Sequence, residues 1–419
     1  MESELNNDDN NLFVEFTISI LLLFDYYVCE NETWVMNETF EEDIVEIIQE
    51  TICESGIDVP NQLVYELLTT FAFGINKLYP FRSYQTSFVT EKTLLELEMI
   101  DTALKILNNV VQHEQRSDEW YEYRHNLITA SNAYKMFGSQ SLQNSLIYEK
   151  CQPIKCFSNQ VSETSPLHHG QKYEPVSIAL YEKIYDTKVS EFGCNQHPVY
   201  KFLGASPDGI NTDKESSRYG RMLEIKNVVS RNITGIPKKE YWIQMQLQME
   251  TCDLMETDFL ETKFVEYLDE NAFMQDNPKS IQFTQDNNYK GIMLQYVHKH
   301  LIPDENSIVD TFGYTFSYSY MPLQMDNYEN FLMWREEDTQ RMEQDGKGYV
   351  RYARTIYWKL EKLSCVLVLR NIQWFESNIQ TMSKFWDIIK KEKIDGYEHR
   401  APKARSSIRL PPMLSSIIF

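Results

Sequence analysis

The sequence predicts an α/β fold in which helices cover a mixed sheet, and three observations carry this prediction. Apolar and β-branched runs bounded by polar turns predict strands near 201–204, 221–229, 259–267 and 289–297. A helical pattern over 238–256, with Pro237 suited to its first turn, separates two of these strands. Another helical pattern, 170–185, precedes them. The order helix, strand, strand, helix, strand is typical of a sheet with helical cover.

The first 110 residues form a separate, mainly helical segment in this interpretation. Apolar residues recur at helical spacing behind an acidic start in the set Ile44, Ile47, Ile48 and Ile52. A second leucine-rich stripe covers 93–111. Such stripes pack into a core more often than they form a partner groove, so we predict an N-terminal domain over 1–110.

Acidic residues are concentrated at the start of the chain. The formal net charge is −22, and residues 1–60 contribute −16 of it because they contain no Lys or Arg. The stretch 390–409 instead carries seven basic and three acidic residues, and we predict a basic tail over 396–419. A DNA-binding protein needs basic groups near phosphates, and this segregation leaves the rest of the chain close to neutral. The acidic segment therefore predicts a docking module, an autoinhibitory mimic of DNA charge, or a role in solubility.

Cysteine usage and hydropathy predict an intracellular, non-secreted protein. Seven cysteines form no CxxC pair, which argues against a disulfide framework or a zinc ribbon. Cys151 and Cys156 lie near His168 and His169, but this spacing matches no usual zinc pattern. The apolar run 16–24 is bracketed by acids and is too short for a membrane span, so we interpret it as a buried helix and expect no membrane association.

The middle and C-terminal parts contain further predicted elements. Two helices meet at 128–131, where Ser131 suits the N-cap of a helix over 132–137. A polar loop is expected from there to Pro166. The acidic, Asn-rich and aromatic stretches 268–288 and 302–345 are interpreted as insertions, and 357–394 as a strand followed by a helix.

Three charged residues suggest the chemistry. In a strand over 223–229, side chains alternate, so Glu224 and Lys226 share a face while Ile225 points into the core. Asp208 is expected on a neighbouring strand across a polar turn. Two carboxylates and an ammonium at a sheet edge suit metal-assisted phosphodiester hydrolysis, in which hard oxygen ligands hold Mg²⁺. The pattern indicates a nuclease.

Together with these residues, five motifs in one order resemble the YqaJ-type viral recombinase family, the lambda-exonuclease-like branch of the PD-(D/E)xK nucleases. They are Trp120-x3-Arg124 with Ile128-Thr-Ala-Ser131, Gly170-x3-Glu174, Gly204-Ala-Ser-Pro-Asp208-Gly, Leu223-Glu224-Ile-Lys226, and Ile236-Pro237 leading into Tyr241-x2-Gln244-x-Gln246-x-Gln248. The resemblance covers roughly 116–297. It implies a restriction-endonuclease-like core, a mixed central sheet flanked by helices, within a nuclease domain over 111–395.

The resemblance also implies roles for individual residues. Asp208 and Glu224 would bind the metal, with the Ile225 carbonyl as a third ligand and Glu174 completing the site or serving a second ion. Lys226 would be the catalytic lysine, and flanking carboxylates would keep it protonated, which favours orientation and charge stabilisation over proton abstraction. Gln244 would help to hold the nucleophilic water. Gln248 shares its face, whereas Gln246 faces elsewhere.

A phosphate-binding pair is implied as well. Arg124 resembles the residue that grips a terminal or scissile phosphate through its planar fork, and Ser131 would add a hydrogen bond from a helix start. Capping alone is the alternative role for Ser131. Trp120 is interpreted as a core residue rather than a base-stacking platform.

The implied function is a Mg²⁺-dependent deoxyribonuclease, with Mn²⁺ as a substitute, acting on double-stranded DNA with a free end. The family suggests a 5′→3′ exonuclease in recombination, repair or replication of viral DNA, in the host cytoplasm (virus factory) or nucleus. Relatives work beside a single-strand annealing protein, and some form homo-oligomeric rings. A structure-specific endonuclease of the same fold and a non-catalytic DNA-binding scaffold are the alternatives.

Overall fold

The computed structural model describes residues 18–19, 22, 40–55, 87–89, 91–111, 117–154, 163, 165–302 and 311–402. Its helices are α1 (Phe40–Ser55), α2 (Leu94–Asn108), α3 (Asp118–His125), α4 (Ala130–Ala133), α5 (Gln140–Cys151), α6 (Pro166–Tyr185), α7 (Lys239–Cys252), α8 (Glu270–Asp276), α9 (Tyr328–Asp345) and α10 (Ile372–Asp395). The strands are β1 (Ile128–Thr129), β2 (Val189–Ser190), β3 (Asn195–Gln196), β4 (Leu203–Ala205), β5 (Gly209–Asn211), β6 (Met222–Asn227), β7 (Glu256–Glu266), β8 (Lys290–Ile302), β9 (Thr311–Tyr320) and β10 (Val350–Leu369). Short 3₁₀ turns cover Tyr134–Phe137 and Glu398–Arg400.

A mixed seven-stranded sheet runs through the described residues in the order β2-β5-β6-β7-β10-β8-β9. Strands β6 and β7 pair in parallel, which requires a crossover, and α7 supplies it. The other neighbouring pairs are antiparallel. A small sheet, β1-β4-β3, accompanies it. The predicted α/β class with a mixed sheet and helical cover is confirmed.

Helix α7 lies at the centre of the main core. Its residues from Trp242 to Met249 are all buried, because the sheet covers one side and α10 another. Trp242 and Trp374 meet edge to face with ring centroids 5.2 Å apart. Full burial of one large apolar side chain stabilises a fold by about 1.5–3 kcal/mol, so this helix is held firmly. A rigid α7 matters because it carries the glutamines of the candidate site.

The described N-terminal helices pack on this same core. Ile48 of α1 is 1% exposed, and Leu104 and Leu107 of α2 belong to the cluster that contains Trp242. The leucine-rich stripe over 93–111 predicts a helix, and α2 lies there. Thr93 and Glu96 form the capping box at its start. The boundary of an N-terminal domain at residue 110 stays a prediction.

A buried ionic cluster joins the residues before α2 to the sheet. Asp258 is fully buried and accepts hydrogen bonds from Arg218, Arg221 and the Ser87 hydroxyl. Arg221 also donates to the Phe88 carbonyl at 2.9 Å. Removing one partner would leave a buried charge uncompensated, so the cluster holds residues 87–88 tightly on the sheet.

Several predicted details are wrong in the described residues. The expected polar loop before Pro166 contains α5, whose leucines and isoleucine are interleaved with polar residues. Ser131 lies within α4, and Thr129 is its N-cap. Pro237 precedes the N-cap Lys238 rather than entering the first turn of α7. The stretch 302–345 includes β9, which extends the main sheet, and α9, and its interpretation as an insertion stays a prediction.

Two further predictions concern residues largely outside the described ranges. Most of the apolar run 16–24 and the tail beyond 402 fall there. Among the described helices, none combines the length and apolar character that crossing a membrane requires.

Candidate active site

The hairpin formed by β5 and β6 brings the two carboxylates together. Gly209 pairs with Leu223, which places Asp208 beside Glu224. One oxygen of Asp208 accepts a hydrogen bond from the Ile225 amide at 2.7 Å. A side chain at Gly209 would meet the Val189 side chain at 2.1 Å, so the glycine lets β2 approach this hairpin. The predicted convergence of Asp208 and Glu224 is observed.

Glu224 is fully buried and its carboxylate is surrounded by donors. Gln244 Nε2 donates to one oxygen at 2.7 Å, and Gln248 Nε2 donates to the other at 2.6 Å. The Lys226 ammonium donates to Glu224 as well. Ile225 points the opposite way into a cluster with Leu223, as strand alternation predicts.

Helical spacing on α7 explains which glutamines reach the site. Gln244 and Gln248 are one turn apart and share a face, whereas Gln246 lies on another face. Gln246 donates to the Leu369 carbonyl at 2.9 Å and accepts from the Asn371 amide at 2.6 Å. Gln246 therefore ties α7 to the start of α10, and the other two glutamines orient Glu224.

The pKa values of both charged groups beside Glu224, Asp208 and Lys226, are raised. The protein surrounding Asp208 disfavours its charge, and the negative charge of Glu224 adds to this, so the pKa of Asp208 is raised well above its usual range. Burial opposes the charge on Lys226, but Glu224 and Asp208 outweigh it and raise the pKa of Lys226. Lys226 is thus protonated at neutral pH and suited to stabilising negative charge.

Lys226 is enclosed by further groups. Its Nζ lies 4.9 Å from the ring centroid of Tyr241 and 3.4 Å from Gln244 Oε1. Glu261 lies opposite Lys226 in the β6–β7 register and pairs with Arg231. Burial raises the pKa of Glu261, although Arg231 opposes the shift. The Tyr241 ring and the Gln244 side chain therefore keep the Lys226 ammonium next to the Glu224 carboxylate.

The donor set fits a hard divalent cation. Asp208, Glu224 and the Ile225 carbonyl present oxygen atoms, and Glu174 on α6 lies close enough for its charge to raise the pKa of Asp208. A cation between the carboxylates would relieve the repulsion that raises this pKa. Within the described ranges, no three His, Cys, Asp or Glu side chains converge as a preformed metal cluster. The assignment of Glu174 as a ligand therefore stays a prediction.

Arg124 lies next to this centre through Ser206. Its Nη1 donates to the Ser206 hydroxyl at 2.8 Å, and Ser206 is two residues before Asp208, a chain distance of at most about 7 Å. The Trp120 ring centroid lies 4.5 Å from the Arg124 guanidinium. Lys150 donates to the Arg124 carbonyl at 3.0 Å, and burial lowers the pKa of Lys150 to about 8. Arg124 is held in place on both its backbone and its side chain.

One interpretation of this region differs from the structure, and another stays a prediction. Ser131 is exposed and its hydroxyl lies 3.3 Å from that of Thr129, so its role in binding phosphate stays a prediction. Trp120 is half-buried and belongs to none of the apolar clusters of the described chain, so its interpretation as a core residue is wrong. Its stacking on Arg124 instead makes it part of the wall around the guanidinium.

Ser206, Tyr241 and Lys150 are functional candidates that the sequence analysis did not identify. Ser206 could have been found, because a residue two before Asp208 in an extended segment points to the same side. Tyr241 could have been found as well, because it shares a helix face with Gln244 and Gln248, whereas the position of Lys150 depends on tertiary packing. The zinc interpretation gains no support, since Cys151 is buried and His168 bonds Tyr318, while Cys156 lies outside the described residues.

Residues 119–255, which carry all of these site residues, match the model of the YqaJ-like viral recombinase domain. The chain carries a YqaJ-like viral recombinase domain. An uncharacterized protein of Acanthamoeba polyphaga mimivirus is 31% identical over 306 residues, which is 69% of this chain and 55% of that protein. The chain thus spans about half the length of this curated relative.

Two solved structures of one alkaline exonuclease have a limited likeness to this chain. The crystal structure of an alkaline exonuclease, LHK-Exo, from Laribacter hongkongensis has a TM-score of 0.36 at 17% identity and covers 66% of this chain and 94% of that chain. The structure of LHK-Exo in complex with dAMP has a TM-score of 0.28 at 21% identity, covering 53% and 88% respectively.

Proposed function

We propose that this chain is a divalent-metal-dependent deoxyribonuclease that hydrolyses double-stranded DNA from a free 5′ end. The observation that carries the proposal is the fully buried Glu224, held by two glutamines beside Asp208 and the protonated Lys226. A buried carboxylate is costly unless its charge is used or compensated, and this one faces a second carboxylate. The matching YqaJ-like domain supports the same assignment.

Each residue has a distinct role in the proposal. Asp208, Glu224 and the Ile225 carbonyl would hold Mg²⁺, or Mn²⁺ in its place, and the bound ion would supply Lewis-acid activation of the phosphate and of a water molecule. Lys226 stabilises negative charge that develops on the phosphate oxygens. Gln244 and Gln248 fix the orientation of Glu224. A role for Gln244 in holding the nucleophilic water is retained as part of this proposal.

Arg124 supplies the phosphate grip in this proposal. Its guanidinium stands beside Ser206, and Ser131 stays a candidate for an additional hydrogen bond. Because Ser206 is two residues before Asp208, Arg124 stands close enough to the carboxylates to contact a phosphate of the same strand. The 5′→3′ polarity, a single-strand annealing partner, a ring-shaped homo-oligomer and activity in an infected cell rest on the resemblance to the family.

The deciding experiment compares 5′-phosphorylated linear duplex with covalently closed circular duplex, in Mg²⁺ and in EDTA. We expect metal-dependent loss of linear DNA alone, abolished in Glu224→Gln. Glu215→Gln is the matched control, because Glu215 is exposed on the turn of the same hairpin and should leave activity unchanged.

Other results would change the proposal in defined ways. Cleavage of both DNA forms would replace the exonuclease with an endonuclease. Binding without cleavage of either form would favour a scaffold. Equal activity of Glu224→Gln and the unmodified protein would remove Glu224 from the catalytic site.

A further inference from the structure

A cavity of about 1080 Å³ has Arg124 in its lining. Its walls come from α3, α5 and the segment 399–402, and none of Asp208, Glu224 and Lys226 lines it. Sites for small ligands usually enclose about 300–1,000 Å³. The space beyond Arg124 is therefore larger than a terminal phosphate requires.

The lining of this cavity is aromatic and cationic in a chain whose net charge is −22. Aromatic side chains come from Trp120, Tyr121 and Tyr148, and partly exposed positive charge comes from Arg124 and Arg400. Lys150 also lines the cavity, but it is almost fully buried and its ammonium donates to the Arg124 carbonyl. Two carboxylates oppose these cations, Glu149 in the wall and Glu392, which pairs with Arg400 behind it. Aromatic faces between basic groups bind single-stranded nucleic acid through stacking and phosphate contacts.

The walls are built by packing rather than by one loop. Arg400 Nη1 donates to the Asn144 side-chain oxygen at 2.6 Å, and the ring centroids of Tyr148 and Tyr397 lie 5.6 Å apart in an edge-to-face contact. The C-terminal turn is thereby fixed against α5, and residues 399–402 of the predicted basic tail line the cavity. Only its first residues, up to 402, belong to the described chain.

We propose that this cavity holds an unpaired 5′ extension of the hydrolysed strand, so that the strand continues past Arg124 instead of ending there. The inference rests on the proposed nuclease function and deepens it, because it specifies the DNA ends that the protein accepts. Arg124 lines the cavity and bonds Ser206, two residues before Asp208. The scissile phosphate would therefore lie at the carboxylate centre, the next phosphate at Arg124, and the nucleotides beyond it in the cavity.

The test varies charge at Ser141, an exposed residue of the cavity wall at the start of α5. A glutamate there suits a helix start, so Ser141→Glu should fold normally. Fluorescence anisotropy in EDTA measures binding of a blunt 5′-phosphorylated duplex and of the same duplex with a short unpaired 5′ extension. Gln380→Glu, on the exposed face of α10 and outside the cavity wall, is the control for added charge.

We expect the extended duplex to bind the unmodified protein more tightly than the blunt duplex. Ser141→Glu should remove this preference, and Ser141→Lys should increase it and steepen the slope of log affinity against log salt by about 0.7 for the extended duplex. Blunt-duplex binding should stay constant in all variants. Gln380→Glu should resemble the unmodified protein.

Equal affinity for both duplexes, or identical effects of Ser141→Glu on both, would overturn the inference. Because no hydrolysis is needed, this failure is separate from failure of the proposed function. A protein that prefers the extension but leaves linear DNA intact in Mg²⁺ would keep the cavity assignment and lose the nuclease. A protein that degrades blunt DNA without the preference would do the reverse.

Discussion

Gln248 and Gln246 lie on one helix, yet their replacement by Met should have opposite consequences. Gln248 donates to Glu224 at 2.6 Å and to the Ser206 carbonyl at 3.1 Å, while its own Oε1 is buried without a hydrogen-bond partner in the described structure. Gln246 instead bridges Leu369 and Asn371 at the start of α10. Met is similar in length and lacks the carboxamide.

The effect on stability can be worked out for Gln248→Met. Losing the hydrogen bond to the charged Glu224 costs about 1.5–3 kcal/mol, losing the one to the Ser206 carbonyl costs about 0.5–1.5 kcal/mol, and removing a buried unsatisfied oxygen returns about 1–3 kcal/mol. The free energy of unfolding should therefore fall by about 1–2 kcal/mol. Glu224, however, loses one of its orienting donors, and such outer contacts of a metal ligand usually control metal affinity or activity by about 10–100-fold.

Gln246→Met serves as the matched control. It leaves the Asn371 amide without its acceptor, at a cost of about 1–3 kcal/mol, but does not touch Glu224. We expect a lower unfolding midpoint with unchanged activity. The measurements are urea unfolding at comparable m-values and nucleotide release from linear duplex as a function of Mg²⁺ concentration.

The reasoning would be refuted by the reverse pattern. If Gln248→Met unfolds more easily by several kcal/mol while its Mg²⁺ dependence stays that of the unmodified protein, Gln248 is a packing residue and does not orient Glu224. An equal loss of activity in both variants would show that α7 responds as a whole to any substitution.

Three further predictions test other parts of the structure. Lys226→Met should lower kcat by about 100-fold or more while DNA binding persists, because it removes a positive charge that stabilises the phosphate. Single-turnover hydrolysis and a DNA-binding assay test this, and an unchanged kcat would exclude the proposed role of Lys226. The folded pKa of Lys150, about 8, lies below its ordinary value of 10.5, so the folded protein loses this proton first and stability should rise between those pH values by about 3 kcal/mol. Unfolding curves across that range should show the rise in the unmodified protein and not in Lys150→Met. Asp258→Asn should destabilise the fold by about 3–5 kcal/mol because Arg218 and Arg221 would remain buried without their counter-charge, and a change below about 1 kcal/mol in a denaturant series would contradict this.

The sequence by itself determined the chemical centre and the elements that carry it. Strand alternation places Glu224 and Lys226 on one face and Ile225 on the other, and helical spacing separates Gln246 from Gln244 and Gln248. These are local consequences of backbone geometry, which is why they agree with the structure. The YqaJ-like match over 119–255 agrees with the family indicated by the motifs.

Tertiary structure decided the surroundings of that centre. Ser206 meets Arg124 across a separation of 82 residues, and Asn144 meets Arg400 across 256, so no local pattern could indicate either contact. Helix α5 was missed because its sparse apolar residues become a buried face only when α10 covers them. The interpretation of Trp120 as a core residue was wrong because burial depends on which elements pack around a side chain. In the folded protein, Trp120 on α3 lines the cavity. Periodicity specifies which way a side chain points, but only the packed fold specifies what it meets.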